Sequence, residues 1–372
     1  MDSPAFTKAM VRSILLGLTA LLSSCAGDRT APPPALGTAG VRESIDRALP
    51  ATLRDKRGWT NDIYAGFSEL ALAPTRESIC AVVAVIEQES GLRVDPVVPN
   101  LAAIAWREID DRASNAGVPP AIVHGVLALR SPDGRSFKER IDTAKTEKEL
   151  SDIFEDFIAT VPLGSTLFAD HNPIRTRGPM QVHVVFAEQF AAARPYPYPI
   201  KVSIDDELFT RRGGLYFGIA HLLDYPAPYD AYLYRFADFN AGRYASRNAA
   251  FQAALGRASG TPITADGALL PHDASQGPGA TELAARALAI RLKLSNHAVH
   301  EALLEGKSQE FEQTALYQRT FGLAEQTAGH ALPRAVLPQI ELHGPKISRK
   351  LTTAWYANRV DSRFHSCLNR RR

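Results

Sequence analysis

The stretch Cys80-Ala81-Val82-Val83-Ala84-Val85-Ile86-Glu87-Gln88-Glu89-Ser90-Gly91-Leu92 runs six apolar residues straight into two carboxylates and a glycine. Thr75, after Pro74, suits an N-cap, Glu77 suits the first turn, and Gly91 suits a left-handed C-cap. This spacing predicts a helix of about four turns over 76–90. Its middle is apolar on every side, which places it inside the protein. A carboxylate at the end of such a helix sits partly out of water. Burial penalises its ionised form and raises its pKa, as a proton donor at neutral pH requires. Periodicity does not choose between the two acids. Glu89 follows Val82, Val85 and Ile86 on one stripe, and Glu87 follows Cys80, Val83 and Ala84 on the opposite one. Nor does it separate a catalytic acid from a core helix that simply emerges into solvent.

The chain has 372 residues, enough for one large core or two modest ones. Its 45% hydrophobic and 22% charged content is that of a folded globular protein. A net charge of +2, with Arg370-Arg371-Arg372 as the longest basic run, argues against a nucleic-acid partner. At the N-terminus, Lys8 and Arg12 precede an apolar run from Ile14 to Leu22, which ends in Leu22-Ser23-Ser24-Cys25. A positive region, a short apolar region and a small-residue cleavage site read as a signal peptide over 1–24, not a membrane span; Met10 also suits the start.

The Leu-Ser-Ser-Cys ending resembles the bacterial lipobox, which implies that Cys25 is lipidated and becomes the first mature residue. Ala26 is not the aspartate that usually retains such proteins in the inner membrane. The resemblance therefore implies an outer-membrane lipid anchor facing the periplasm. The other reading is an ordinary signal peptide with a coincidental cysteine. In an oxidising compartment Cys80 and Cys367 are the only cysteines left to form an intramolecular disulfide; two buried free thiols are the alternative.

Residues 25–40, with Ala31-Pro32-Pro33-Pro34-Ala35, read as a lipidated N-terminus and flexible tether. Short helices are predicted over 42–49 and 59–72, and Pro96 and Pro99 break the chain after Leu92. A helical stretch follows from Leu101 to about Ser165. Within it Thr146 and Glu149 form a capping box ahead of Leu150, Ile153, Phe154, Phe157 and Ile158, and Pro119-Pro120 opens a helix through Leu129. Helical pattern returns over 213–223 and 237–255. Residues 259–278 are rich in Gly, Pro and Ser and mark a surface excursion or subdomain boundary. Further helices are predicted over 281–292, 296–304, 308–317 and 346–364. No strand series and no internal repeat emerges, so the predicted fold class is mainly α.

Three short segments bear on Glu89: Glu89-Ser90, Gly178-Pro179-Met180-Gln181-Val182, and Phe239-Asn240-Ala241-Gly242. In that order they resemble the lytic transglycosylases of the goose-lysozyme-like superfamily, whose signatures are a catalytic Glu followed by Ser, a Gly-Leu-Met-Gln segment and an Ala-Tyr-Asn-Ala-Gly segment. The matched region spans about 76–255, and Gly218 to Leu223 falls where that family has a helix between its second and third motifs. The resemblance implies a lysozyme-like catalytic domain over 41–257 with an insertion at about 101–165, and a helical C-terminal extension over 258–372. It implies Glu89 as the single acid/base, with Ser90, Gly178, Met180, Gln181, Phe239, Asn240 and Gly242 around the sugar groove. The implied substrate is peptidoglycan, cut between N-acetylmuramic acid and N-acetylglucosamine with closure of a 1,6-anhydro ring and no second carboxylate.

The chain departs from that pattern in three places. Pro179 replaces the usual Leu, the insertion lengthens the gap between the first two motifs, and Phe239 replaces the usual Tyr, removing a hydroxyl that often faces the catalytic Glu. Tyr232, Tyr234 and Tyr244 are candidates to supply it. Tyr225, Tyr229, Tyr232 and Tyr234 suit stacking on sugars or plain packing. His297 and His300 lie three apart on a short helix without a third ligand nearby, so neither metal nor cofactor is expected. Two further readings keep the same groove: a non-catalytic glycan-binding or scaffolding lipoprotein, and a muramidase in which water replaces the C6 hydroxyl.

Overall fold

A computed structural model describes residues 37–162, 171–271, 273, 275, 277–344, 347 and 349–370. Cys25, the signal and the tether up to residue 36 lie outside them. In chain order the helices are α1 (Thr38–Ala48), α2 (Lys56–Glu69), α3 (Arg76–Glu89), α4 (Leu101–Asn115), α5 (Pro120–Leu127), α6 (Phe137–Thr143) and α7 (Glu147–Thr160). After them come α8 (Val184–Ala193), α9 (Ile204–Leu208), α10 (Arg211–Leu223), α11 (Tyr232–Ala241) and α12 (Ala245–Ser259). The remainder are α13 (Ala280–Ala287), α14 (Ala289–Leu292), α15 (Asn296–Leu304), α16 (Ala315–Ala328) and α17 (Thr353–Leu368). The fold is mainly α. Among the described residues the named strands are two antiparallel pairs, β1 (Thr176–Arg177) with β2 (Val182–His183) and β3 (Glu341–Leu342) with β4 (Leu351–Thr352).

Helix α3 is made of residues that form a poor helix by propensity. Ile79, Val82, Val83, Val85 and Ile86 all lose side-chain freedom there. Packing holds it instead: none of residues 79–86 is more than 2% exposed, and burying each Val or Ile side chain contributes about 1.5–3 kcal/mol. Thr75 caps the start, its hydroxyl accepting from the Ser78 backbone N–H at 3.1 Å. Ser90, predicted as the last helical residue, is the C-cap, and Gly91 and Leu92 follow with φ of 60° each.

Three apolar cores organise the described residues. The first gathers α1 to α3, α8 to α11 and α17. The second is built by α12 to α16. The third lies within α4 to α7, the stretch read as an insertion. That stretch is four helices with turns between them, and its expected last residues, 163–165, are not among those described. It docks on the first core through Asn172, whose Nδ2 donates to Ser151 Oγ at 2.9 Å, and through a main-chain bond from Val98 N to Lys145 O at 2.9 Å.

The cores divide the chain differently from a boundary at 258. Helix α12 begins the second core, whereas α17, from the far end of the sequence, lies along α3 in the first. Two predicted helices are also corrected. The pattern over 237–255 is broken where Gly242 and Tyr244 take φ of 106° and 67°, giving α11 and α12. The last helix starts at Thr353, not near 346, because Leu351 and Thr352 pair with β3 and the Thr352 hydroxyl caps Trp355 N. Residues 308–317 form a 3₁₀ turn, Gln309–Gln313, and then the start of α16.

Candidate active site

Glu89 ends α3 half-buried, and the hydroxyl of Tyr356 on α17 donates to its Oε1. Burial, then the charge of Glu89, pushes the Tyr356 hydroxyl well above its ordinary value, so it stays protonated and remains a donor. The neighbouring polar residues are held by the same C-terminal segment. Glu87 pairs with Arg370 at 2.6 Å, and Gln88 accepts from Arg363 Nε at 3.1 Å. Of the two acids that periodicity could not separate, Glu87 meets the Arg370 guanidinium and Glu89 accepts from the Tyr356 hydroxyl. Cys80 and Cys367 are joined in a disulfide, with Cα atoms 5.6 Å apart, and fasten the other ends of the same two helices.

One turn before Tyr356, Thr353 Oγ1 donates to Asn240 Oδ1 at 2.8 Å. Glu89 and Asn240 are therefore tied to adjacent points on one helix. The hydroxyl that meets Glu89 is that of Tyr356, whereas the three tyrosines named from the sequence pack elsewhere. Tyr232 packs on Phe364, Tyr234 on Tyr229, and Tyr244 beneath the Arg247 guanidinium at 4.2 Å. Sequence reading missed Tyr356, though the expected disulfide held the signal. Counting nine residues from Cys80 to Glu89 and eleven back from Cys367 to Tyr356 moves about 13 and 16 Å along antiparallel helices, to the same level.

The second motif is a tight reversal between β1 and β2. Gly178 has φ of 74°, and a Cβ there would sit 2.0 Å from the Leu208 carbonyl oxygen, so only glycine fits. Met180 was expected to line the groove, but it is fully buried; a Cβ on Gly218 would lie 2.4 Å from its sulfur, so it supports the turn from beneath. Gln181 is half-buried at φ of 49°, its Oε1 accepting from Thr176 Oγ1 at 3.0 Å and its Nε2 donating to Gly178 O at 3.3 Å. Ser90 is buried: its hydroxyl donates to Ile86 O at 3.1 Å and accepts from Arg93 N at 3.4 Å, bracing the turn after Glu89.

Helix α10 joins the second and third motifs. Gly218 lies under Met180, and one turn on, His221 approaches Phe239 O at 3.3 Å with ring centroids 4.9 Å apart. The carbonyl accepts, so Nε2 carries the proton and the buried Nδ1 is a bare acceptor without a hydrogen-bond partner. Burial, helped by nearby Arg243, holds His221 down to about 3. Asp238, nearly inaccessible, accepts from Tyr225 Oη at 3.0 Å, Tyr229 Oη, Tyr244 N at 3.0 Å and Ser246 N at 2.7 Å. Burial pushes it up to about 6. This network fixes the reversal at Gly242 that follows Asn240, and it engages the hydroxyls of Tyr225 and Tyr229.

A depression of about 600 Å³ opens beside the turn after Ser90, lined by Arg54, Asp55, Trp59, Arg93 and Arg211 among others; Glu89, Gln181 and Asn240 are not on its wall. His300 pairs with Glu282 at 3.0 Å and His297 lies 3.9 Å from Glu301. Among the described residues no group of three His, Cys, Asp or Glu is arranged to hold a metal, and no helix is long and apolar enough to cross a membrane.

A family described as protein of unknown function, DUF1615, matches residues 52–370. The chain belongs to that family. It is also similar to the uncharacterized protein YaiW of Escherichia coli (strain K12), 48% identical over 359 residues that cover 95% of this chain and 97% of that protein. No solved structure matches it. The correspondence with YaiW runs nearly end to end, so the second core and α17 belong to the shared architecture as much as α3 does.

Proposed function

We propose that this DUF1615 protein is a lytic transglycosylase, cleaving peptidoglycan strands between N-acetylmuramic acid and N-acetylglucosamine on a lysozyme-like α domain. The observation that carries the reading is the Tyr356 hydroxyl on Glu89: a half-buried carboxylate at the end of a buried helix, with a hydroxyl donor held against it from a second, disulfide-fastened helix. Glu89 in its protonated form gives its proton to the bridging oxygen while the substrate's acetamido group supports the positive charge at C1. The carboxylate then takes the proton of the muramic C6 hydroxyl, which attacks C1 and closes the 1,6-anhydro ring. Tyr356 orients the carboxylate and stabilises its charged form between the two steps. On this reading Asn240, held by Thr353, and Gln181, at φ of 49°, would border the bound glycan. Lipidation at Cys25 would hold the enzyme on the periplasmic face of the outer membrane, beside its substrate.

A second reading has its own support. The depression at Arg54 and Arg93 lies beyond Glu89, which favours a lipoprotein that holds glycan without cutting it. Digestion of purified peptidoglycan with the mature protein, followed by mass analysis, separates these readings. Anhydro ends support transglycosylation, reducing ends assign hydrolysis by the same Glu89, and intact strands that co-sediment with the protein assign binding alone.

A further inference from the structure

We infer that the depression beyond Ser90 is a subsite for a carboxylate on the peptide side chain that peptidoglycan sugars carry, with Arg54 and Arg93 as its ligands. The identity of the polymer rests on the glycan reading above; the charge of the subsite does not. Of the three arginines on its wall, Arg211 is already committed. It bonds to Asp55 at 2.7 Å and to Asp62, and lies over the Trp59 ring at 5.6 Å. Arg54 and Arg93 are exposed, and among the described residues neither guanidinium has a hydrogen-bond or ion-pair partner. Two uncompensated planar forks lining one depression match a carboxylate, which accepts two parallel N–H bonds from one guanidinium and has lone pairs left for the other. Asp55 on the same rim disfavours a polyanion.

The backbone is built for this placement. Asp55 and Leu92, non-glycine residues that both line the depression, hold left-handed φ of 50° and 60°. Leu92 does so while buried, a conformation kept only where the surroundings enforce it. The Ser90 hydroxyl, bonded to Ile86 O and to Arg93 N, sets Arg93 in register with the end of α3. Arg93 is four residues from Glu89, a span of at most about 14 Å. A sugar lying over Glu89 can therefore place its peptide against Arg93. The same serine that follows the proposed acid also aims the anion subsite.

The test uses mature full-length protein carrying Glu89→Gln, so that glycan is not consumed, and calorimetric binding of four probes. These are a disaccharide-peptide with free carboxylates, the same compound fully amidated, a peptide-free N-acetylglucosamine oligomer, and vesicles of anionic phospholipid. Adding Arg54→Gln and Arg93→Gln weakens the free-carboxylate ligand about tenfold per arginine. Both side chains are exposed, so the thermal midpoint should not move. The amidated ligand binds the parent as weakly as the free acid binds the double variant, and the oligomer is unaffected. Equal binding of the free acid to parent and double variant, or no effect of amidation, overturns the inference. So does an arginine-dependent loss seen with vesicles alone, which would assign the pair to lipid headgroups. An oligomer that binds no form of the protein, beside a peptide ligand that still needs both arginines, removes the glycan-cleavage reading and leaves the carboxylate subsite standing. Silence of every probe removes both.

Discussion

Replacing Tyr356 with phenylalanine deletes one oxygen and keeps a ring that is 6% exposed in the first core. The loss is a hydrogen bond to a charged group, generally about 1.5–3 kcal/mol. Glu89 is half-buried, so water replaces part of it, and the cost should fall at the lower end, about 1–2 kcal/mol at neutral pH. Denaturant unfolding of Tyr356→Phe and wild type at pH 7 measures it. Glycan cleavage should fall roughly tenfold or more, since about 1.4 kcal/mol of lost stabilisation in the reacting complex is a decade in kcat/KM. Equal stability together with unchanged cleavage would refute the role given to this hydroxyl.

Cys80→Ser with Cys367→Ser opens a link across a sequence separation of 287 and should cost about 2–5 kcal/mol. Hydrogen exchange should show α17 loosening first, with activity lost in step. Gly178→Ala forces a methyl to 2.0 Å from a carbonyl at φ of 74° and should destabilise by about 2 kcal/mol or more, read as a lower denaturation midpoint. His221 is neutral in the folded protein because its pKa is held down to about 3. Its contribution to stability is therefore complete above the unfolded value, near about 6.5, and is lost as pH falls from there toward 3. Going from pH 7 to 5 should cost about 2 kcal/mol from this group. His221→Gln keeps an N–H for Phe239 O and should flatten that slope, measured as midpoint against pH.

Much of the helical framework was legible because its signals are local. Thr75 and Thr146 cap where their side chains can reach the third backbone N–H, and the apolar run 79–86 is buried as its composition demands. The alternative pairings around Glu87 and Glu89 were not legible, since they depend on which segment returns from 267 and 283 residues away. Only the Cys80–Cys367 pair carried that information. Met180 shows the converse limit. A motif position implies proximity to a groove, but whether the side chain faces it is decided by Gly218 on another helix. The helix expected over 346–364 failed at its start because Leu351 and Thr352 find ladder partners at Glu341 and Leu342, a long-range choice that outweighs periodicity.

The most direct measurement is the mass of the products released from purified peptidoglycan by the mature protein and by its Glu89→Gln variant, with unfolding curves confirming that both are folded. The account predicts 1,6-anhydromuramoyl ends from the first and none above background from the second. Anhydro ends released equally by both, or no cleavage by the wild-type protein, would contradict it.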